Sequence, residues 1–423
     1  MLDIHFIREN KDLVQAGAKK KHVSIDIDAL IALDDKRVAL LQNVEEMRAK
    51  QNIVSDKVGA LKAQGGTGGD ELIAEMKTLK ESLQKKEAEL TEVLKEWRAL
   101  MLSVPNIPDV SVPDGNSDAD NVEVKKVGSA PKFSFTPKNH VELMKDLNMV
   151  DFEAGTEVAG FRGYFLKNDG ALLMFALNQF VVDFFRKKGF EFTVAPSVVR
   201  KEGLYGTGYL PQGEEDLYKT QDETYLVGTA EVPTMASFMG KVLTPEELPK
   251  KVLAYSPCFR REAGSHGKDT KGIFRVHEFY KFEQVVLCEA SHETTVALHE
   301  EITQNAEELL QALGLHYHVV INCGADLGLG QVKKYDIEAW VPSENTFRET
   351  HSASYFHDFQ TRRLNIKYKD ATGKSRFAHS LNNTALAIPR IFVPLLEQHQ
   401  NADGSITIPE ALHSYMGKKT ITK

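Results

Sequence analysis

Residues 255–287 read YSPCFRREAGSHGKDTKGIFRVHEFYKFEQVVL. Two strand-like runs, 252–262 and 273–287, flank a loop holding Gly264, Gly267 and Gly272 with Lys268, Asp269 and Lys271. With a period of two, Ile273, Arg275, His277, Phe279, Lys281 and Glu283 fall on one face. Phe274, Val276, Tyr280, Phe282 and Val286 fall on the other, the natural core side. The charged row is therefore expected on the exposed face, around one aromatic ring. Arg260 and Glu262 share a face of the preceding strand. Guanidinium forks pair with phosphate oxygens, and an exposed ring stacks on a base. The pattern suits a nucleotide, although alternation alone is weak evidence and by itself favours an ordinary charged sheet face.

Working outward, 171–188 is a helix candidate with a basic last turn closed by Gly189. Phe190–Val199 reads as a strand, and Pro196 puts it at an edge or bend. A second amphipathic helix runs from His292 to Leu313 and stops at Gly314. Further strand-like runs are 225–228, 316–321 and 359–368. Strands and helices do not alternate regularly, so an antiparallel or mixed α+β sheet is expected.

The first hundred residues differ. Leu30, Leu33, Arg37, Leu40, Val44, Met47, Gln51, Val54, Val58 and Leu61 advance by threes and fours, all apolar but two. Leu72, Met76, Leu79, Leu83, Lys86, Leu90, Val93, Trp97 and Leu100 repeat the pattern. Each is the seam of a long helix that needs a partner. Gly65-Gly66-Thr67-Gly68-Gly69 breaks the helix between them. An antiparallel hairpin with its tip near Gly66 is the economical reading, and a dimerising coiled coil is the alternative. Residues 105–131, rich in Pro, Asp, Ser, Asn and Gly, read as a linker. The expected division is an arm at 1–104, the linker, and a body at 132–423.

Composition narrows the classes. The chain has 423 residues, 42% hydrophobic and 26% charged, which allows two or three domains and excludes wholesale disorder. The longest apolar run, 171–177, is far short of the roughly 20 residues a bilayer needs. No signal peptide is visible, and three cysteines suggest a reducing, cytoplasmic setting. A net charge of −8 argues against a globally basic coat but leaves room for a local basic stripe.

FRREAG, the glycine–lysine loop and FRVHEFYKFE resemble the second signature motif of class II aminoacyl-tRNA synthetases, in its seryl-tRNA synthetase form. Gly228-Thr229-Ala230-Glu231-Val232-Pro233 is similar to that family's serine-binding loop. Tyr335-Asp336-Ile337-Glu338-Ala339-Trp340 and Asn345-Thr346-Phe347-Arg348-Glu349 match later blocks. Leu381-Asn382-Asn383-Thr384-Ala385-Leu386-Ala387-Ile388-Pro389-Arg390 resembles the third motif with its closing arginine. The resemblance spans essentially the whole chain and implies an antiparallel catalytic sheet behind a tRNA-binding helical arm.

It also implies roles. Arg260 would hold the ATP α-phosphate and the attacking carboxylate, with Glu262 near the adenine amino group. Phe279 would stack on adenine, Val276 would touch it through its backbone, and Arg390 would clamp the nucleotide. Arg261, Arg275, Thr350 and His351 complete the expected ATP site. Glu349 and Ser352 match the Mg²⁺-holding positions. Thr229, Ala230, Glu231, Arg260, Glu283 and Thr384 would read L-serine. Arg260, Glu262, Glu349 and Arg390 would carry the chemistry. Arg48, Lys50, Lys57, Lys62, Lys77 and Lys80 are candidate phosphate contacts, although interspersed glutamates suit a solvated helix face too. The implied partners are tRNA(Ser) and a second copy in a homodimer, with charging of tRNA(Sec) left open. A synthetase-like paralogue acting on a non-tRNA partner is the alternative, and a coiled-coil scaffold explains only the arm.

His351, Tyr355 and Tyr280 depart from the family pattern. Asn383-Thr384 replaces a commoner Gly-Ser but keeps a hydroxyl. His316 and His318 lack a third ligand at zinc spacing, and no zinc is expected. The three cysteines read as small core residues. Gly324, Gly328 and Gly330 read as turns, and His266 as a solvated loop residue.

Overall fold

The computed structural model describes residues 1–63, 70–264, 267 and 269–423, with the Lys62 side chain excepted. The glycine-rich breaker at 65–69, His266 and Lys268 lie outside the described residues. The chain forms two compact units. One comprises Leu2–Lys19 and Val23–Pro105; the other comprises Met1, Lys20–His22 and Asn106–Lys423.

The smaller unit is dominated by α1 (Ile27–Ala63) and α2 (Asp70–Ser103). Leu40 and Val44 of α1 are buried against Leu83, Leu90 and Val93 of α2, with Leu33 and Met47 beside them. These are the seam positions, so the partner of each helix is the chain's own other helix. Arg37, a polar interruption of the seam, packs its guanidinium 4.9 Å from the Trp97 ring centroid and pairs with Asp34 at 2.8 Å. Arg48 reaches Glu87 at 2.7 Å. Position 37 thus meets 97 and 48 meets 87, as an antiparallel pair requires.

The larger unit is built on eight strands: β1 (Val122–Val127), β2 (Glu191–Val194), β3 (Lys250–Phe259), β4 (Glu278–Cys288), β5 (Tyr317–Ile321), β6 (Lys333–Val341), β7 (Thr346–His357) and β8 (His379–Ile388). Their order is β1-β5-β6-β7-β8-β4-β3-β2. Every pairing is antiparallel except β2 with β3. The helices that matter below are α3 (Asn168–Arg186), α4 (Lys201–Thr207), α5 (His292–Ala312) and α6 (Phe359–Leu364). Phe185, Leu177, Ile302, Leu309, Tyr317, Ile337 and Phe392 belong to one fully buried core. Asn383 of β8 donates to the Ile302 carbonyl of α5 at 2.6 Å.

Four expectations change. The strand expected over 359–368 is α6 followed by Lys367–Lys369. Gln360, Arg362, Arg363 and Leu364 are good helix formers, and Asn365 ends the helix in the left-handed region at φ 52°. The strand expected over 190–199 breaks at Pro196 into β2 and a short strand, Val198–Val199. β3 ends at Phe259 and β4 begins at Glu278, so Arg275 and Val276 are not strand residues. The stretch read as a linker contains β1, and its Asn106 and Val112 are buried. Its polar composition reflects turns bound to the body: Asn106 Nδ2 donates to the carbonyls of Gly330 at 3.0 Å and Phe356 at 2.7 Å. Among the described residues no helix is long and apolar enough to cross a membrane.

Candidate active site

Two irregularities in the sheet shape a cavity of about 410 Å³. Between β6 and β7 the register runs Ile337↔His351 and then Glu338↔Glu349, leaving Thr350 as the extra residue. A bulge reverses the alternation locally. Glu349 and Ser352, three residues apart, therefore line the same cavity. Between β4 and β8 the register runs Phe282↔Leu386 and then Glu283↔Thr384, leaving Ala385 extra. Thr384 and Ala387, again three apart, both face the cavity. Phe279, Lys281 and Glu283 of β4 complete the floor in ordinary alternation. The face expected to be exposed is thus a pocket wall, with Glu283 only 3% exposed. Phe274 and Val276, expected in the core, also line the cavity, because no strand governs them.

The cationic groups are held by carboxylates and rings. Arg260 Nε donates to the Gly228 carbonyl at 3.2 Å, and its guanidinium lies 5.3 Å from the Phe279 ring centroid. Arg275 donates to Glu262 at 2.7 Å and to Asp269 at 3.3 Å. Glu262 sits at φ 56°, a region costly for a non-glycine residue and recurrent at functional sites. Arg390 Nη1 lies 3.5 Å from Glu349 Oε2, with its guanidinium 4.9 Å from the Phe274 ring centroid. Burial raises the Glu349 carboxyl, but Arg390, Lys334 and Arg260 outweigh it and hold the group below its ordinary range.

A second polar group is acidic. Tyr209 and Gln360 donate to the two oxygens of Glu231 at 3.0 Å and 2.6 Å. Burial, with Glu283 nearby, pushes Glu231 up to about 7. Burial also raises Glu283, opposed by its ion-pair partner Lys281. The Thr229 hydroxyl accepts from the Glu231 backbone N–H at 3.3 Å.

Of the candidate residues, Thr229, Glu231, Arg260, Glu262, Arg275, Val276, Phe279, Glu283, Glu349, Thr350, Ser352, Thr384 and Arg390 line this one cavity. Three do not. Ala230 is fully buried behind its neighbours. Arg261 is exposed and lines an adjacent hollow with Phe161, Arg162 and His277. His351 is 1% exposed. The Thr350 bulge turns its ring away from the cavity, and its Nε2 lies 3.1 Å from the carbonyl of Ala385, the extra residue of the other bulge. Tyr355 is likewise buried, donating to Asp109 at 2.8 Å. Tyr280 packs on Tyr255 with ring centroids 6.3 Å apart.

Sequence reading missed Tyr209, Gln331 and Asn382, which line the cavity, and passed over Lys281. It also missed Lys21, whose buried ammonium donates to the carbonyls of Gly328 and Leu329, each at 3.0 Å, and to that of Gln331. Those carbonyls form the back of a loop that lines the cavity. No local signal marks Lys21, since its role depends on a loop some three hundred residues away.

A sheet of this topology carrying arginines, a ring and paired carboxylates in one cavity is that of a class II aminoacyl-tRNA synthetase core. The tRNA synthetase class II core domain (G, H, P, S and T) matches residues 215–399, and the seryl-tRNA synthetase N-terminal domain matches residues 1–108. The serine–tRNA ligase of Deinococcus radiodurans is 45% identical over 100% of this chain and 99% of its own length. That of Carboxydothermus hydrogenoformans is 42% identical, with both chains fully covered. The crystal structure of seryl-tRNA synthetase from Pyrococcus horikoshii complexed with ATP matches with a TM-score of 0.89 at 37% identity. It covers 100% of this chain and 99% of its own. The chain belongs to the serine–tRNA ligase family.

Proposed function

We propose that the protein activates L-serine with ATP and transfers the seryl group to the 3′ end of tRNA(Ser). The observation that carries this is one cavity lined both by Arg260, Arg275, Arg390 and Phe279 and by Thr229, Glu231, Glu283 and Thr384. The first set suits a nucleotide triphosphate, and the second suits a small zwitterion with a hydroxyl. ATP binding also accords with the ATP-bound Pyrococcus relative.

The serine carboxylate is already ionised at neutral pH, so the first step needs no general base. Arg260 orients that carboxylate and the α-phosphate together and stabilises the charge that develops between them. Phe279 and Val276 hold the adenine, Glu262 its amino group, and Arg390 and Arg275 the phosphates. Thr229 and Glu231 take the serine ammonium. Glu283 and Thr384 read its hydroxyl, so alanine or glycine would leave buried polar groups unpaired, which discriminates far more strongly than a missing methylene.

The Glu349 carboxylate and Ser352 hydroxyl both line the cavity. Two hard oxygen donors fit Mg²⁺ and would hold it there. The ion would supply neutralisation of phosphate charge.

The helical hairpin carries tRNA selection. Lys50, Lys57, Lys77 and Lys80 are exposed on it, and Arg48 is exposed but paired with Glu87. The Lys62 side chain lies outside the described residues. Such contacts read backbone and shape rather than base sequence. The helical arm and the body from Asn106 onward thereby divide recognition from chemistry. A homodimer accords with the apolar side chains left open on the body, among them Phe161, Phe175 and Val194 at 56%, 64% and 67% exposure. The protein acts in the cytoplasm.

The test is ATP–pyrophosphate exchange over a panel of amino acids with Mg²⁺. Exchange with serine alone supports the proposal. No exchange with any amino acid favours the paralogue, and exchange with another amino acid means that the specificity residues are misread.

A further inference from the structure

Gln360 is 1% exposed and lies outside every motif that carries the family resemblance. It occupies the second position of α6, and its carboxamide touches three other segments. Nε2 donates to Glu231 Oε1 at 2.6 Å and to the carbonyl of Thr207, the last residue of α4, at 3.1 Å. Oε1 accepts from the Ser380 hydroxyl of β8 at 2.8 Å. Ser380 is fully buried.

These bonds have a fixed polarity. A carbonyl only accepts, so the amide edge facing Thr207 must be the NH₂. The opposite edge is the oxygen, and the Ser380 hydroxyl is oriented to donate to it. Gln360 can therefore only donate to Glu231. Tyr209 donates to the other oxygen. Both donors are neutral, so neither competes with a cation for the carboxylate's charge. Each leaves a lone pair of its oxygen for a further donor.

We propose that Gln360, held by Ser380, is a positioning residue that fixes Glu231 as a hydrogen-bond acceptor for the substrate ammonium. This rests on the reading that Glu231 receives that ammonium. A donor to a carboxylate favours its ionised form. Gln360 therefore works against the burial and the Glu283 charge that raise Glu231, together with Lys281, which also faces it. Tyr209, which itself lies near Arg260, is a further titratable neighbour of this group.

The test uses the full chain and pyrophosphate exchange at pH 6 to 8.5, with serine and ATP varied separately. Gln360→Met keeps the length of the side chain and removes its polarity. It is expected to raise the KM for serine about tenfold, leave the KM for ATP within twofold, and move the pH dependence of the serine KM upward. Ser380→Ala should shift both in the same direction by less, and Ser380→Thr should restore them. If Gln360→Met does not fold, the Ser380 pair alone decides the matter. Parallel changes in both KM values, or an unmoved pH profile, overturn the inference. Glu231→Gln separates the two readings. If it leaves the serine KM unchanged, the assignment of Glu231 fails. If it raises that KM while the Gln360 and Ser380 variants do not, only the positioning role fails.

Discussion

Arg390 and Glu349 face each other across the cavity wall, Nη1 to Oε2 at 3.5 Å. The carboxylate is held ionised by that arginine, with Lys334 and Arg260 behind it. Arg390 thus neutralises the group that would otherwise resist burial, and keeps it in the state a divalent cation requires. Glu349→Gln removes the charge but not the shape. We expect the Mg²⁺ concentration for half-maximal exchange to rise at least tenfold, as a magnesium titration of the exchange rate will read.

Arg260→Ala should abolish adenylate formation. The guanidinium is tied to Gly228 and Phe279 rather than to a carboxylate, so its charge is available to the reacting phosphate. Loss of one such electrostatic contact costs roughly 10²- to 10³-fold in kcat. Pyrophosphate exchange at saturating serine and ATP measures this, and unchanged kinetics would refute the assignment.

Glu283→Ala leaves Lys281 buried without its partner. Both side chains are nearly inaccessible, 4% and 9% exposed. Breaking a buried pair by removing one member costs about 3–5 kcal/mol. We expect a clear fall in Tm by calorimetry and a loss of discrimination between serine and alanine in exchange assays.

Glu231 gives the pH dependence. Burial first, and Glu283 after it, raise it from its ordinary value to about 7. Native protein therefore holds this proton up to about pH 7, whereas the unfolded chain releases it near the ordinary glutamate value. The group favours folding at acid pH, and that contribution is lost as pH rises toward 7. With Glu231 as the proposed acceptor of the serine ammonium, substrate binding should show the opposite trend, because that ammonium requires the ionised form. The KM for serine should fall as pH rises from 6 to 7 and flatten above about 7.5. A KM independent of pH over this range would show that Glu231 does not meet the ammonium.

Arm charges should affect tRNA alone. Reversing Lys50, Lys57, Lys77 and Lys80 to Glu leaves the cavity untouched. Exchange should stay within twofold of the parent, while the KM for tRNA rises at least tenfold and its salt dependence becomes shallower. Aminoacylation at two salt concentrations checks both.

Much of this was legible in the chain because the informative spacings are short. A seam that repeats by threes and fours declares a helix pair, and Gly65–Gly69 declares where it breaks. The closure of Leu40 and Val44 on Leu83, Leu90 and Val93 follows from those spacings. The motif around Arg260, Phe279 and Glu283 lies within thirty residues, so its pattern survives in linear order.

Other features depend on distance and irregularity. His351 sits beside Glu349 and Ser352 in sequence, yet a one-residue bulge turns it out of the cavity and against Ala385. Residues 359–368 carry the apolar content of a strand, yet Phe359–Leu364 is a short helix and only Lys367–Lys369 is extended. Lys21, Tyr209 and Gln360 lie outside the motifs, and only folding brings them to the Gly328 carbonyl and to Glu231.

By itself the sequence determined the helical hairpin, the family and the candidate groups for nucleotide and amino acid, because each is encoded by local periodicity or by a contiguous motif. Only the tertiary structure decided which of those groups share a cavity, which carboxylate burial raises most toward neutrality, and which amide from another helix donates to it. Those outcomes depend on burial, on bulge positions and on hydrogen bonds between segments that only the folded sheet brings together.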